Sequence, residues 1–154
     1  MSIKQGDLIP SITLKDKDGS NFKLDKFRGS GPVVVYFYPR NFTSGCTTEA
    51  CDFRDQYQDF KDLGAEVVAI SSDSSESHNK FSQEYNLPFI FLSDENKLAR
   101  KAFGVKSSLF GFVPGRETFV FDKTGILRMR YNNLSAAHHT SNALDKLREL
   151  AGKN

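Results

Sequence analysis

The sequence predicts an α/β domain of three layers, in which helices cover both faces of a central mixed sheet. Two apolar segments rich in β-branched and aromatic residues, 32–39 and 65–72, are typical of strands buried on both faces. Segments with apolar residues at helical spacing alternate with them, and a tight turn at 122–125 separates the last two strand-like segments. This order favours parallel strands joined through helices, followed by an antiparallel hairpin.

The length and charge of the chain restrict its class. Its 154 residues suit one domain, 1–154, with a substantial core. The 21 basic and 19 acidic residues give a net charge of +2, too balanced to favour nucleic acid or an anionic membrane as a partner. No apolar run approaches the roughly 20 residues that a membrane span needs. The N-terminal segment resembles neither a secretory signal nor a transit peptide, so a cytoplasmic location is expected.

The first half of the chain predicts a hairpin, a buried strand and a long helix, in that order. A turn signal between short alternating stretches indicates the hairpin within residues 10–30. After the buried strand, apolar residues recur at helical spacing over residues 44–63. Cys46 falls in the first turn of this helix, and Thr43 and Ser44 are candidates for its cap.

The second half predicts two further strand and helix pairs and a closing hairpin. These elements follow one another as strand 65–72, helix 74–85, strand 89–94, helix 96–105, strands 117–121 and 126–131, and a helix from about 140 to 150. The whole order is typical of a thioredoxin-like fold.

Both cysteines of the chain lie at the start of the helix that follows the first buried strand. Two cysteines are too few for a secreted disulfide framework, and such a pair more often indicates catalysis or redox sensing. A thiol attacks as its thiolate, and a first helical turn directs free N–H groups and the positive end of the dipole toward Cys46. Thr43 places a hydroxyl nearby, and Pro39, which lacks an N–H, gives the site a rigid wall.

The spacing of Pro39, Thr43 and Cys46 resembles the active-site motif of the peroxiredoxins. The run CTTEACDFRD, which begins at Cys46, narrows the resemblance to the bacterioferritin comigratory protein, or peroxiredoxin Q, subfamily. The segments VVAISSDSSESHNKF and LFGFVPGRETFVFDKTG extend it over nearly the whole chain. One departure is Ser44, which stands where this family usually has proline.

The resemblance implies a thioredoxin fold and the reduction of hydrogen peroxide or alkyl hydroperoxides. Cys46 is then the peroxidatic nucleophile, and Arg116 supports its thiolate and the bound peroxide. Pro39 and Thr43 line the pocket. Cys51 takes the place of the resolving cysteine, whose disulfide with Cys46 is reduced by thioredoxin. The resemblance implies a monomer and no metal, haem or flavin cofactor.

Five residues outside this motif fit simpler roles. The histidines His78, His138 and His139 lie far in sequence from the cysteines, and a zinc site needs about four well-spaced ligands. We therefore expect them to be surface residues. Phe110 and Phe112 fit either core packing or a hydrophobic rim of the pocket, and the sequence does not decide between these roles.

Two other functions use the same residues. A thiol-disulfide oxidoreductase shares the fold but normally has two residues between its cysteines, whereas four separate Cys46 from Cys51. A non-enzymatic peroxide sensor would use oxidation of Cys46 to change a partner surface. The role of Arg116 depends on the resemblance alone, because most arginines form surface ion pairs.

Overall fold

The structure is a computed structural model that describes residues 3–106 and 115–152, so Phe110 and Phe112 lie outside the described residues. The strands are β1 (Thr13–Asp16), β2 (Asn21–Lys23), β3 (Val33–Phe37), β4 (Glu66–Ser71), β5 (Ile90–Ser93), β6 (Glu117–Phe121) and β7 (Leu127–Asn132). The helices are a short 3₁₀ helix (Leu24–Phe27), α1 (Ser44–Asp55), α2 (Tyr57–Asp62), α3 (Ser75–Glu84), α4 (Leu98–Phe103) and α5 (His139–Ala151). Over the described ranges, no helix is long and apolar enough to cross a bilayer.

The strands described form one mixed sheet in the order β2-β1-β5-β4-β3-β6-β7. Strands β3, β4 and β5 are parallel, as the helix-connected segments predict. Strands β1 and β6 run antiparallel to their neighbours in the centre, and β2 and β7 complete hairpins at the two edges. The predicted α/β fold with a central mixed sheet is confirmed.

Alternate side chains of β3 enter two separate cores on opposite faces of the sheet. Val34 and Tyr36 pack in the core formed with α1, α2 and α5, where the Tyr36 ring stacks on Phe53 at 4.4 Å. Val35 and Phe37 pack in the core formed with the 3₁₀ helix and α4. A strand buried on both faces requires a continuous apolar run, which explains the composition of residues 32–39.

The pairing of β3 with β6 brings distant parts of the sequence to one edge of the sheet. Phe37, the last residue of β3, lies opposite Glu117, the first residue of β6. The chain therefore leaves β3 toward Pro39 at the same edge where Arg116 leads into β6. Helix α1 begins at this edge, directly after the connecting loop.

The predicted helix over residues 44–63 is wrong in one respect, because it is two helices that meet at Gln56. The backbone of Gln56 departs from helical geometry, with φ −101° and ψ 4°. Phe53 and Phe60, on either side of the break, are both fully buried, and their rings lie 5.6 Å apart. Seven residues correspond to almost two whole helical turns, so the apolar pattern continues across the break and does not reveal it.

Candidate active site

Cys46 is the third residue of α1 and is almost fully buried, with 1% of its surface exposed. The first main-chain hydrogen bond of the helix runs from the N–H of Thr47 to the carbonyl of Thr43, at 2.9 Å. The N–H groups of the three residues before Thr47 therefore have no partner within the helix. No acidic residue lies in this first turn. The positive end of the helix dipole is thus directed at the thiol.

Arg116, directly before β6, contacts the sulfur of Cys46. Its Nη2 donates to Sγ across 3.3 Å, although 70 residues separate the two in sequence. Two further hydrogen bonds fix the guanidinium, from Nη1 to Glu49 Oε1 at 2.5 Å and from Nε to the carbonyl of Leu134 at 2.9 Å. Gly45 leaves the space it needs, since a Cβ there would lie 3.3 Å from Nη2.

Glu49 is a buried acid that the motif analysis did not single out. Its side chain is fully buried one helical turn after Cys46 and accepts a hydrogen bond from Arg116. Burial raises the pKa of Glu49 to about 8, although the charge and hydrogen bond of Arg116 oppose this shift. Its position could have identified it, because it lies on the helix face of Cys46 and Phe53, where a charged residue needs a buried partner.

Thr43 and Pro39 precede α1 in the chain. Thr43 is the residue before the first turn, as predicted, but its hydroxyl does not cap the helix. Its Oγ1 instead donates to the carbonyl of Arg40 at 3.0 Å, and the side chain is exposed. Pro39 is half-buried and follows β3 by two residues. The structure thus places both residues in the segment that joins β3 to Cys46.

Arg100 holds together the two chain segments that carry Pro39 and Arg116. Its Nη2 donates to the carbonyl of Tyr38 at 2.9 Å, and its Nη1 donates to the carbonyl of Gly115 at 3.2 Å. These carbonyls belong to the residues directly before Pro39 and Arg116. Burial lowers the pKa of Arg100, while the charges of Asp94, Glu117 and Cys46 oppose this shift. No local pattern in the sequence marks Arg100 as different from other helical arginines.

A buried hydrogen-bond network fixes the loop between Pro39 and α1. The hydroxyl of Tyr38 donates to Asn41 Oδ1, and the Asn41 side-chain amide lies 3.1 Å from His78 Nδ1. The main-chain N–H of Asn41 donates to Asp73 Oδ2 at 2.8 Å. This network ties the loop to α3 and to the end of β4, independently of α1.

The prediction that the histidines are surface residues is wrong for His78 and His139 and correct only for His138. His78 and His139 are fully buried, and burial lowers the pKa of each to about 4. Both rings have polar partners, which makes their burial tolerable. Periodicity cannot reveal this, because the partners come from other elements. Within the described ranges, no cluster of histidine, cysteine and carboxylate residues could hold a metal ion.

Cys51 lies on the same continuous helix as Cys46, five residues further along, and is half-buried. Both cysteines are free thiols. Five residues of α-helix correspond to about 7.5 Å along the axis and roughly 140° around it. The two side chains therefore point in different directions from α1, and no disulfide can join them while the helix is intact.

Comparison with known proteins places this arrangement in a family. Residues 5–130, which include the cysteines and Arg116, match the AhpC/TSA family. The chain belongs to the AhpC/TSA family and, within it, to the peroxiredoxin Q group. It is 56% identical over 131 residues to peroxiredoxin Q of Sedum lineare, covering 85% of this chain and 70% of the relative. It is 54% identical over 131 residues to peroxiredoxin Q of Suaeda salsa, covering 85% of this chain and 61% of that relative.

Solved structures of other proteins show the same fold. The bacterioferritin comigratory protein of Xanthomonas campestris superimposes with a TM-score of 0.83 at 29% identity, covering 91% of this chain and 92% of the other. The thioredoxin-like fold predicted from the sequence is thereby confirmed. The chain spans about three fifths of the length of several plant relatives, including that of Suaeda salsa at 61%.

The cytoplasmic location expected from the sequence is wrong. The plant relatives from Sedum lineare and Suaeda salsa are both named chloroplastic, which points to a plastid rather than the cytoplasm. The expectation rested on the composition of the N-terminal segment alone.

Proposed function

We propose that the chain is a thiol peroxidase in which the Cys46 thiolate attacks a hydroperoxide. The observation that carries the proposal is the contact of 3.3 Å between Arg116 Nη2 and Cys46 Sγ at the start of a helix. A guanidinium and a helix N-terminus both stabilise a negatively charged sulfur. Membership of the peroxiredoxin Q group supports the same reaction.

The attack forms a sulfur–oxygen bond and breaks the O–O bond, which leaves a sulfenic acid on Cys46 and an alcohol or water. Negative charge develops on the departing oxygen, and donors already aimed at it lower the barrier. Arg116 and the free N–H groups of the first turn of α1 are suited to this role. Pro39 contributes a rigid wall without a competing N–H group.

Thr43 acts as a hydrogen-bond acceptor, whereas Arg116 and the helix N–H groups are donors. Its hydroxyl donates to the carbonyl of Arg40, so the lone pairs of Oγ1 remain available to accept a hydrogen bond. Thr43 therefore accepts a hydrogen bond from the O–H group of the peroxide and orients the oxygen that Cys46 attacks. This gives a direction to the hydroxyl that the sequence places near Cys46.

The substrates proposed are hydrogen peroxide and alkyl hydroperoxides. The name of the Xanthomonas campestris structure refers to alkyl peroxide reduction by that protein, which supports this substrate class. Cys46, Arg116 and Cys51 all belong to one chain, so a monomer supplies every group that the reaction needs. The mechanism requires no cofactor, because sulfur carries the oxidation itself.

Cys51 is proposed as the resolving cysteine. Its thiol condenses with the sulfenic acid of Cys46 to form a disulfide and water, and thioredoxin reduces the disulfide by exchange. Because the side chains point apart on α1, the first turns of the helix must unwind before this bond forms. The half-buried position of Cys51 supports the role, since a modest opening exposes it.

Steady-state peroxide reduction with thioredoxin, thioredoxin reductase and NADPH tests the proposal. Cys46→Ser should lose the activity, because a serine hydroxyl is a far weaker nucleophile at neutral pH. Cys51→Ser should still consume one equivalent of peroxide but should not turn over with thioredoxin. Turnover by Cys46→Ser at the wild-type rate would contradict the assignment of the nucleophile.

The same assay separates the two alternative functions. A thiol-disulfide oxidoreductase would reduce insulin disulfides with both cysteines present and would consume peroxide slowly. A peroxide sensor would be oxidised once without turnover. Rapid turnover of peroxide without insulin reduction would leave the peroxidase as the function.

A further inference from the structure

One guanidinium serves two acidic groups in the buried site. Arg116 Nη2 donates to Cys46 Sγ at 3.3 Å, and Nη1 of the same side chain donates to Glu49 Oε1 at 2.5 Å. A thiolate and a carboxylate together carry two negative charges, whereas Arg116 carries one positive charge. An excess buried charge is costly, so the two acids compete for ionisation.

The second oxygen of Glu49 faces a group that accepts hydrogen bonds. Oε2 is buried, has no hydrogen-bond partner among the described residues, and lies 3.5 Å from His139 Nδ1. His139 Nε2 lies 2.9 Å from the carbonyl of Asn133, which only accepts, so Nε2 carries the ring proton. Nδ1 then has a lone pair, to which the Thr118 hydroxyl donates at 2.7 Å. An ionised Oε2 finds no donor there, because Nδ1 carries no proton and already accepts from Thr118, so the negative charge would lack a hydrogen bond at this oxygen.

The other titratable groups around Glu49 also favour a proton on its carboxyl. Burial raises the pKa of Glu49 to about 8, and the neighbouring charge of Asp52 adds to the shift while Arg116 opposes it. Burial and the charge of Arg116 lower the pKa of His139 to about 4. The Tyr36 hydroxyl stays neutral, because burial raises its pKa further above neutrality. A proton in this cluster at neutral pH therefore lies on Glu49.

We propose that Glu49 is a proton reservoir for peroxide reduction: its carboxyl holds a proton while Cys46 is a thiolate and releases it when Cys46 becomes a neutral sulfenic acid. This rests on the proposed peroxidase function. Oxidation removes one of the two charges that compete for Arg116. Glu49 is then the remaining anionic partner of the guanidinium, which favours its ionised form.

The step is balanced without a proton from outside. A thiolate, a neutral carboxyl and a hydroperoxide become a sulfenic acid, a carboxylate and an alcohol. The sulfur–oxygen bond forms, the O–O bond breaks, sulfur loses two electrons and the peroxide gains them. The departing alkoxide takes up one proton and Glu49 gives one up, with water as the carrier between them. The total charge stays the same before and after the reaction.

The first test is an infrared difference spectrum of Cys51→Ser protein, in which oxidation stops at the sulfenic acid. The protein is reduced, held at pH 7 and treated with one equivalent of hydrogen peroxide. We expect the band of a protonated carboxyl in the reduced protein to disappear on oxidation and to be missing from Glu49→Gln. Asp52→Asn, on the same helix, is the matched control and should retain the band. The ultraviolet absorbance of the thiolate establishes that Cys46 is ionised in the reduced samples.

The second test counts protons with a pH indicator in weak buffer during the same oxidation. We expect no net proton uptake for the wild-type Glu49 protein and for Asp52→Asn, and uptake of about one proton per Cys46 for Glu49→Gln. The reservoir would be overturned if the protein with Glu49 took up one proton per Cys46. It would also be overturned if the infrared spectrum showed an unprotonated carboxyl beside the thiolate, or if the ultraviolet absorbance showed a neutral Cys46 at pH 7. The infrared experiment can be done on protein that keeps Glu49, so it still tests the proposal if Glu49→Gln does not fold.

The two proposals fail in different ways. If dimedone trapped no sulfenic acid in Cys51→Ser protein after peroxide treatment, the peroxidase function itself would be overturned. A trapped sulfenic acid without loss of the carboxyl band would leave the peroxidase intact and overturn the reservoir alone.

Discussion

Arg100 donates a hydrogen bond to the carbonyl of Tyr38 across 2.9 Å, and this bond anchors the end of β3 directly before Pro39. The other arm of the same guanidinium binds the carbonyl of Gly115, directly before Arg116. One planar side chain with two donors in a fixed geometry thus reinforces the β3–β6 pairing in setting the distance between the two sides of the site. Gly115 leaves no room for a side chain at this point, since a Cβ there would lie 1.8 Å from the carbonyl oxygen of Lys106.

Arg100→Met should lower the second-order rate constant for peroxide about tenfold, because misplacing the donors around the sulfur weakens transition-state stabilisation. The rate constant of Arg100→Lys should lie between those of wild type and Arg100→Met, because lysine keeps the charge but cannot bridge both carbonyls. Thiolate absorbance against pH, measured in the same variants, separates positioning from a loss of fold. Arg148→Met, at an exposed helical arginine, is the control. A wild-type rate for folded Arg100→Met would remove the residue from the site.

Arg116→Ala should slow the attack on peroxide by about 10²-fold to 10³-fold, the usual effect of losing one donor to a developing oxyanion. The rate constant comes from stopped-flow measurements with limiting peroxide. The exposed Arg128→Ala should react at the wild-type rate. Arg116→Ala also leaves Glu49 without its cationic partner, so circular dichroism must establish that the variant is folded. An unchanged rate constant in folded protein would contradict the role of Arg116.

The first turns of α1 should unfold when the disulfide forms. Within residues 43–55, the amide hydrogens from Thr47 onward are hydrogen-bonded in α1 and should exchange slowly in the reduced protein. They should exchange fast in the oxidised protein, because Cys46 and Cys51 cannot bond across an intact helix. Helix α5 is the internal control and should keep the same protection in both states. Equal protection of α1 in both states would contradict the local unfolding.

Ser44→Pro should make this opening slower. Ser44 is the first residue of α1, where proline fits without loss of a helical hydrogen bond and restricts the unfolded segment. We expect disulfide formation to slow several-fold and overoxidation of Cys46 to increase at high peroxide, measured by mass spectrometry. Ser44→Ala is the matched control. If Ser44→Pro resolved its sulfenic acid as fast as Ser44→Ala, position 44 would not control the opening.

His78 should make the protein less stable in acid. Burial lowers its pKa from 6.5 to about 4, so its contribution is complete above pH 6.5 and is lost as the pH falls through 4. This corresponds to about 3 kcal/mol of unfolding free energy across that window. Urea unfolding at pH 7 and pH 4 should show a smaller loss for His78→Gln than for wild type. The exposed His138→Gln should lose as much as wild type, and an equal loss for His78→Gln would refute the prediction.

The sequence by itself determined the order of strands and helices and the residues that begin α1. Both kinds of information are local: strands buried on two faces need continuous apolar runs, and the motif from Pro39 to Cys46 lies within one strand, loop and helix start. Even here the break at Gln56 was not predicted, because the buried residues Phe53 and Phe60 keep helical spacing across it.

Only the tertiary structure decided which distant side chains share the site with Cys46. The antiparallel register that sets Phe37 opposite Glu117 brings Arg116 to the sulfur, and the start of α5 brings His139 to Glu49. Burial, pKa and hydrogen-bond partners depend on everything packed around a group, not on its neighbours in sequence. For this reason a surface role was predicted for His139, and the buried acid between it and Arg116 was recognised only in the folded chain.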